Sequence, residues 1–195
     1  MKNSSFLAGY ILLLFCVTSC STTRTIATWE SEGLAPTQYK KMVVYVSAST
    51  LATRATIERT LAKQFSKKNL ESVAASDRLP TLVIDTFYIS QIQSQLGSQN
   101  ADLFLYVNLG GITLTKVTEA SEVSPHTGFS SSGGSYIQTT TRIENRLYNA
   151  MKGTLLMSVD TESDAGPNHD IEDVAQDLAA ELITKFKKKA IHFPK

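Results

Sequence analysis

Met42-Val43-Val44-Tyr45-Val46, then Ser47-Ala48-Ser49-Thr50, then Leu51 to Lys68, then Glu71 to Ser76: this succession decides the fold. The first run is continuous, apolar, β-branched and aromatic, the pattern of a strand buried on both faces. Ser47, Ser49 and Thr50 offer side-chain oxygens to cap a helix. Ile57, Leu61 and Phe65 recur at steps of four, with Leu51 further upstream. Arg54, Glu58, Arg59, Lys63, Lys67 and Lys68 are expected largely on the other face, which makes 51–68 an amphipathic helix. Glu-Ser-Val-Ala-Ala-Ser at 71–76 reads as a weaker second strand. Strand, helix, strand gives a βαβ opening.

Working toward the C-terminus, Pro80 is a break and Leu82-Val83-Ile84 fits either a strand or a helix entry. Ile89, Ile92 and Leu96 predict a second helix that stops at Gly97. Leu103 to Leu109 is the clearest strand, Gly110-Gly111 fits a turn or a bulge, and Ile112 to Val117 continues in β character. Ser124 to Ser135, with Pro125, Gly128, Gly133 and Gly134, reads as a loop. Tyr136–Tyr148 and Thr154–Thr161 form a hairpin about the turn Asn149 to Gly153. Asp164 to His169 is expected to be irregular. Asp170 caps a last helix, with Asp173 placed as a capping-box acid. Ile171, Val174, Leu178, Leu182 and Phe186 run down one face of it. The expected class is α/β (α+β): one domain over 41–195, about three helices on a mixed sheet of about five or six strands.

Working toward the N-terminus, Ser21 to Lys40 is rich in Ser and Thr and reads as a tether. Twenty residues reach at most ~70 Å, or ~25 Å on average if flexible. Trp29 is unusual in a linker. Thr25-Ile26-Ala27-Thr28-Trp29 fits an edge strand or an indole docked on the domain better than a free tether. Ahead of it stand Lys2, an apolar run from Phe6 to Phe15 and small residues, the make-up of a secretory signal over 1–19. A run of roughly ten apolar residues is too short to cross a bilayer, which takes about 20. Val17-Thr18-Ser19-Cys20 resembles the bacterial lipobox: an aliphatic residue, two small residues, then Cys. The resemblance implies cleavage before Cys20, with a diacylglycerol on its sulfur and an N-acyl chain on its new amino group. Two or more chains anchor stably where one does not. Ser21 after the cysteine implies, by resemblance to enterobacterial sorting rules, the outer membrane of a Gram-negative envelope.

The chain holds two cysteines, Cys16 and Cys20. With one in the signal and the other acylated, no thiol remains for a disulfide, a thiolate metal site or a nucleophile. Of 19 basic residues, Lys2 leaves with the signal, and the remaining 18 balance 18 acidic ones. That balance argues against a protein built to hold nucleic acid.

The lipobox, the Trp-bearing tether, the βαβ opening, the hairpin Leu147-Tyr148-Asn149…Gly153-Thr154-Leu155-Leu156 and the final amphipathic helix together resemble small bacterial envelope lipoproteins. Their α/β domain is similar to those of the penicillin-binding-protein activator lipoproteins, the N-terminal domain of TolB and the curli secretion lipoprotein. The chain departs from the commoner hairpin in having Met157 where a Trp often lies. The resemblance carries no catalytic residue and implies a non-enzymatic protein that binds other envelope components.

Catalytic and metal chemistry finds little support. His126, His169 and His192 are isolated, with no HExxH or i, i+4 pair, so neither a metal nor a cofactor is expected. No GxSxG elbow or SxxK occurs in the mature region, and Gly-Phe-Ser-Ser-Ser-Gly at 128–133 lacks the strand–turn–helix context. Asp160, Glu162 and Asp164 follow a strand, while Glu172 and Asp173 open a helix and complement its dipole. Lys185, Lys187, Lys188 and Lys189 either complement a helix C-terminus or meet an anionic partner. The expected role is an interaction or regulatory module for another envelope protein, held at the membrane by its lipid. The 124–135 region, with His126, Phe129 and Tyr136, is the expected contact loop. An oligomeric secretion or pore-associated lipoprotein, in which the chain is a homo-oligomer, and an envelope hydrolase are the alternatives. The strands flanking that loop are polar for a membrane-spanning hairpin.

Overall fold

The computed structural model describes residues 22–32, 37–79, 89–118, 135–165, 170–189 and 191–194. The strands are β1 (Thr22–Glu30), β2 (Thr37–Gln38), β3 (Lys41–Ser47), β4 (Glu71–Ala74), β5 (Leu103–Thr118), β6 (Ser135–Asn149), β7 (Leu155–Ala165) and β8 (Ile191–His192). The helices are α1 (Leu51–Ser66), α2 (Ala75–Arg78), α3 (Ile89–Ser98) and α4 (Ile171–Lys188). Six strands make one sheet in the order β1-β7-β6-β5-β3-β4, and β2 pairs with β8 apart from it. β3 runs parallel to β4 and β5, whereas β5, β6, β7 and β1 alternate antiparallel. The mixed α/β sheet is as expected, and the βαβ opening is β3-α1-β4.

Two local expectations change, and two left open are resolved. The fourth helix, α2, is a single turn that begins where the weak strand at 71–76 was expected to continue. Its Leu79 N–H closes on Ala75 O at 2.7 Å. The supposed tether contains β1, which pairs with β7 from Thr22↔Asp164 to Glu30↔Met157. Of the readings open for Thr25–Trp29, the edge strand holds. The Trp29 side chain stays 52% exposed, so the indole is not docked. Gly110-Gly111 is a bulge, because β5 advances from Leu109 to Ile112 while β6 steps only from Ile143 to Thr141. A Cβ at Gly110 would stand 2.9 Å from Arg142 O, so the strands approach too closely there for a side chain.

Helix ends follow their chemistry. Thr50 Oγ1 accepts the Thr53 N–H at 3.1 Å at the start of α1. Asn69, at φ 67°, turns the chain out of α1, and the Leu70 N–H returns to Phe65 O. Asp170 accepts from the N–H groups of Glu172 and Asp173 at the start of α4, so Asp173 enters this cap through its backbone.

One sheet face is covered by α1 and α4. Met42, Val44, Val46, Leu103, Leu105, Val107, Ile143, Leu147 and Met157 meet Ile57, Leu61, Phe65, Leu178, Leu182 and Phe186 there. Phe65 and Phe186 stack at 5.8 Å between centroids and tie the two helices together. The described residues cover the other face only in part. Val43, Tyr45, Phe104, Tyr106 and Tyr148 lie under Ala75, Leu79, Ile92 and Leu96. Two residues placed on apolar helix faces from sequence are exposed: Leu51 by 73% and Ile171 by 39%. Both are the first residues of their helices.

Arg54 and Glu58 correct the amphipathic reading more deeply, since they are 4% and 0% exposed. At about 100° per residue, Arg54 and Glu58 fall about 60° and 100° from Ile57, level with Leu61 and Phe65 on the wheel. They belong to the buried stripe by position and to the polar face only by chemistry.

Candidate functional site

β3 and β5 run in one direction, β1 and β6 in the other, so the strands have two distinct ends. β1 starts at the end where α1 and α4 start, and finishes at the end where those helices finish. Thr22, its first residue, follows Cys20 by two positions. Cys20 and the other lipobox residues Val17, Thr18 and Ser19 lie outside the described residues, as do His126, His169 and Phe129. Tyr136 is placed in β6, paired with Val117. The 124–134 part of the expected contact loop also lies outside the described residues. The strands that lead into it reach Thr118↔Ser135, four pairs beyond the last β6–β7 pair, Thr139↔Ala165.

At this same end, near the close of β3, lies a buried polar cluster. Glu58 Oε1 accepts Arg54 Nε at 2.8 Å and the Val46 N–H at 3.0 Å, and Oε2 accepts the Ser76 N–H at 2.6 Å. The Arg54 guanidinium also lies 4.3 Å from the centre of the Tyr45 ring, which stacks on Tyr106 at 5.8 Å. Three elements (β3, α1 and α2) converge on one carboxylate. Donors from three elements take three of the roughly four acceptor positions of this carboxylate, so the cluster is a lock between elements. Burial pushes the Tyr106 and Tyr148 phenols above their ordinary range, in Tyr106 against a Ser47 hydrogen bond and in Tyr148 against the Arg146 charge.

Among the described residues, the outer face of β6, β7 and β1 carries charged side chains and no helix. Arg24–Glu162, Arg142–Asp160 and Arg146–Glu144 pair across or along it at 3.1, 3.2 and 3.4 Å. Asp164 accepts from Thr140 Oγ1. The acidic series Asp160, Glu162 and Asp164, set aside from sequence as non-catalytic, is thus paired with cations or a hydroxyl on an open sheet face. Pairs this exposed contribute little stability, and they keep a flat face soluble. The inner face of the same strands holds a buried polar ladder. Asn145 Nδ2 donates to Val159 O at 2.9 Å, Thr23 Oγ1 bonds Ser163 Oγ at 3.1 Å, and Thr25 Oγ1 bonds Glu181 on α4.

The opposite end is basic. A cleft of about 460 Å³ lies between the ends of α1 and α4, lined by Lys67, Lys68, Asn69, Lys187, Ile191, His192, Phe193 and Pro194. Lys185 pairs with Glu181 at 3.5 Å and Lys189 with Glu30 at 2.9 Å. Lys67, Lys68 and Lys187 make no ion pair among the described residues. Lys187 Nζ sits 6.0 Å from the Phe193 ring centre. Sequence reasoning identified the α4 lysines but not their union with Lys67, Lys68 and His192. The signal was available: both helices follow strands of the same direction, so both lysine-rich ends fall together. A second cleft, of about 330 Å³, runs between α1 and β4. There the Arg59 guanidinium, 2.6 Å from Asp77, holds the Asp77 carboxyl below its usual range. Among the described residues no group of three or more His, Cys, Asp or Glu is arranged to hold a metal.

No protein-family model matches the chain, and no curated protein matches it. Solved structures do show likeness. The PelC dodecamer from Paraburkholderia phytofirmans aligns at 13% identity and a TM-score of 0.49, covering 90% of this chain and 100% of that one. Lipoprotein GNA1162 from Neisseria meningitidis aligns at 13% identity and a TM-score of 0.44, covering 76% of this chain and 99% of that one. A minor lipoprotein from Acinetobacter baumannii aligns at 9% identity and a TM-score of 0.37, covering 76% and 92%.

Proposed function

We propose that this is a lipid-anchored, non-catalytic module of the bacterial cell envelope, fixed at the outer membrane through Cys20 and presenting its domain to another envelope protein. One observation carries the reading: only Ser21 stands between Cys20 and a nine-residue strand, eight residues of which pair with β7. Two residues span at most about 7 Å, so acyl chains on Cys20 would hold the domain against the membrane by one end. A 20-residue leash would let it wander; this attachment sets its orientation. The charged face and β1, the edge strand among the described residues, then stand upright from the membrane, where a partner meets them side-on.

The test is in-cell crosslinking of the full chain beside Cys20→Ala. The reading expects detergent-phase partitioning and one envelope partner with the native chain, and loss of both with the variant. Equal partitioning of the two chains would defeat the anchor; a partner captured equally by both would separate binding from anchoring. The four residue pairs by which β5 and β6 outrun β7 favour one second reading, an oligomeric secretion component whose hairpins gather around a shared axis. Rings of detergent-extracted copies would support that reading over the first.

A further inference from the structure

The basic cleft at the far end has the make-up of a ligand site that neither the anchor nor the partner reading uses. Its volume of about 460 Å³ lies within the roughly 300–1,000 Å³ of small-molecule sites. Its walls rest on ordered backbone: Ile191 and His192 form β8, in register with Thr37 and Gln38. Ile191 is fully buried, and the Phe193 ring stands edge-on to Phe65 at 6.5 Å, which fixes the floor. Three ammonium groups that make no ion pair among the described residues, Lys67, Lys68 and Lys187, stand around that floor beside His192, and no acidic residue among those described lines the cleft. The ends of α1 and α4 contribute about half a negative charge each. Three full positive charges exceed that, so the cleft attracts anions.

We propose that this cleft binds a phosphorylated sugar. A phosphate monoester carries nearly two charges and several acceptor oxygens, which matches several point-charge donors better than a lone carboxylate would. The Phe193 ring offers an apolar surface for one face of a sugar ring, while Asn69 and His192 supply hydrogen-bonding side chains for hydroxyls. The cleft lies at the end of the domain away from Thr22, so the choice of a soluble or glycan-borne sugar over a lipid headgroup rests on the proposed anchoring at Cys20. The binding itself stands independently of lipidation at Cys20.

Calorimetric titration of the detergent-solubilised full chain with glucose 1-phosphate, inorganic phosphate and glucose tests this. Saturable binding of glucose 1-phosphate is expected, weakening with added salt, with inorganic phosphate weaker and glucose silent. Lys68→Gln with Lys187→Gln should weaken it about tenfold or more. Lys152→Gln, in the turn between β6 and β7, and Cys20→Ala should leave it unchanged. Phe193→Leu, which keeps an apolar contact to Phe65, should reduce glucose 1-phosphate to the level of inorganic phosphate. The proposal fails if no titrant saturates, if Lys152→Gln costs as much as the cleft variants, or if phosphate binds as well as its sugar ester. It fails also if phosphatidylglycerol vesicles bind through the same lysines and glucose 1-phosphate does not compete, because the site would then be a membrane surface.

Discussion

Arg54 and Glu58 face each other at 2.8 Å with 5% and 0% of their side chains exposed, one turn apart on a helix otherwise packed by apolar residues. Glu58 is the hub, because its two oxygens receive three donors from three elements. Glu58→Gln substitutes an N–H₂ for one oxygen, and either orientation sets a donor against a donor. Breaking one side of a buried pair costs about 3–5 kcal/mol. A urea titration should show a lower midpoint with an unchanged slope; a loss under about 1 kcal/mol would mean the pair is not the lock described.

Gly153 closes the β6–β7 turn at φ +68°, where its N–H donates to Asn149 O at 2.9 Å. A Cβ there would also come to 2.6 Å from Gln93 Nε2, the atom that donates to Met151 O. Gln93 is flexible and can withdraw, so the cost of Gly153→Ala is mainly the left-handed backbone, about 1–2 kcal/mol. Thermal unfolding should register it as a drop of several degrees. Gly153→Asn should cost less, and an equal cost would point to the clash instead.

Tyr106 and Tyr148 titrate late because burial disfavours their phenolates. The folded state therefore keeps protons that the unfolded chain releases near pH ~10. Stability from these groups is present below that pH and falls as pH rises above it. Ultraviolet difference titration of the native chain should show a late-ionising fraction, and Tyr106→Phe should shrink it. Tyrosines that all ionise together in the folded protein would contradict the burial argument.

Asp77, held low by Arg59, behaves in the opposite sense. Its contribution is present above the ordinary carboxylate range and disappears as pH falls through its depressed value. Both side chains are largely exposed, 44% for Asp77 and 63% for Arg59. Asp77→Asn should therefore cost less than about 1 kcal/mol at neutral pH. A larger loss by chemical denaturation would require a role for Asp77 beyond this pair.

The 18-residue helix α4 spans about 27 Å between the two ends of the domain. Fluorophores placed singly at Asp164→Cys and Lys188→Cys should respond unequally to a lipid-phase quencher once the chain is in vesicles. Asp164, paired with Thr22, should be quenched and Lys188 should not. Equal quenching would mean that the domain lies flat.

What was legible in the sequence was what local periodicity writes down. The run at 42–46, the steps of four in α1 and the turn at 149–153 each announce themselves within a few residues. β1 was legible only as one option among three, because its partner β7 lies more than a hundred residues away and four of its nine residues are Thr. Arg54 and Glu58 were misplaced because residue type was weighed above angular position, although their spacing puts them on the buried stripe. The basic cleft was missed because it is assembled from three segments joined by the common direction of β3 and β7. The Gly110-Gly111 pair marked irregularity correctly, but only pairing with β6 distinguishes a bulge from a turn.

With the domain anchored as proposed at Cys20, the incorporation of Thr22–Glu30 into the sheet would bear on how it leaves a membrane. A domain on a slack leader is shed by a single cut in the leader. Here the peptide bonds after Ser21 run directly into a hydrogen-bonded edge, and a protease must first peel that edge from β7. Peeling would also release the Thr23 and Thr25 hydroxyls from Ser163 and Glu181. Shedding is thereby coupled to partial unfolding, and a cut copy loses the strand that borders its sheet.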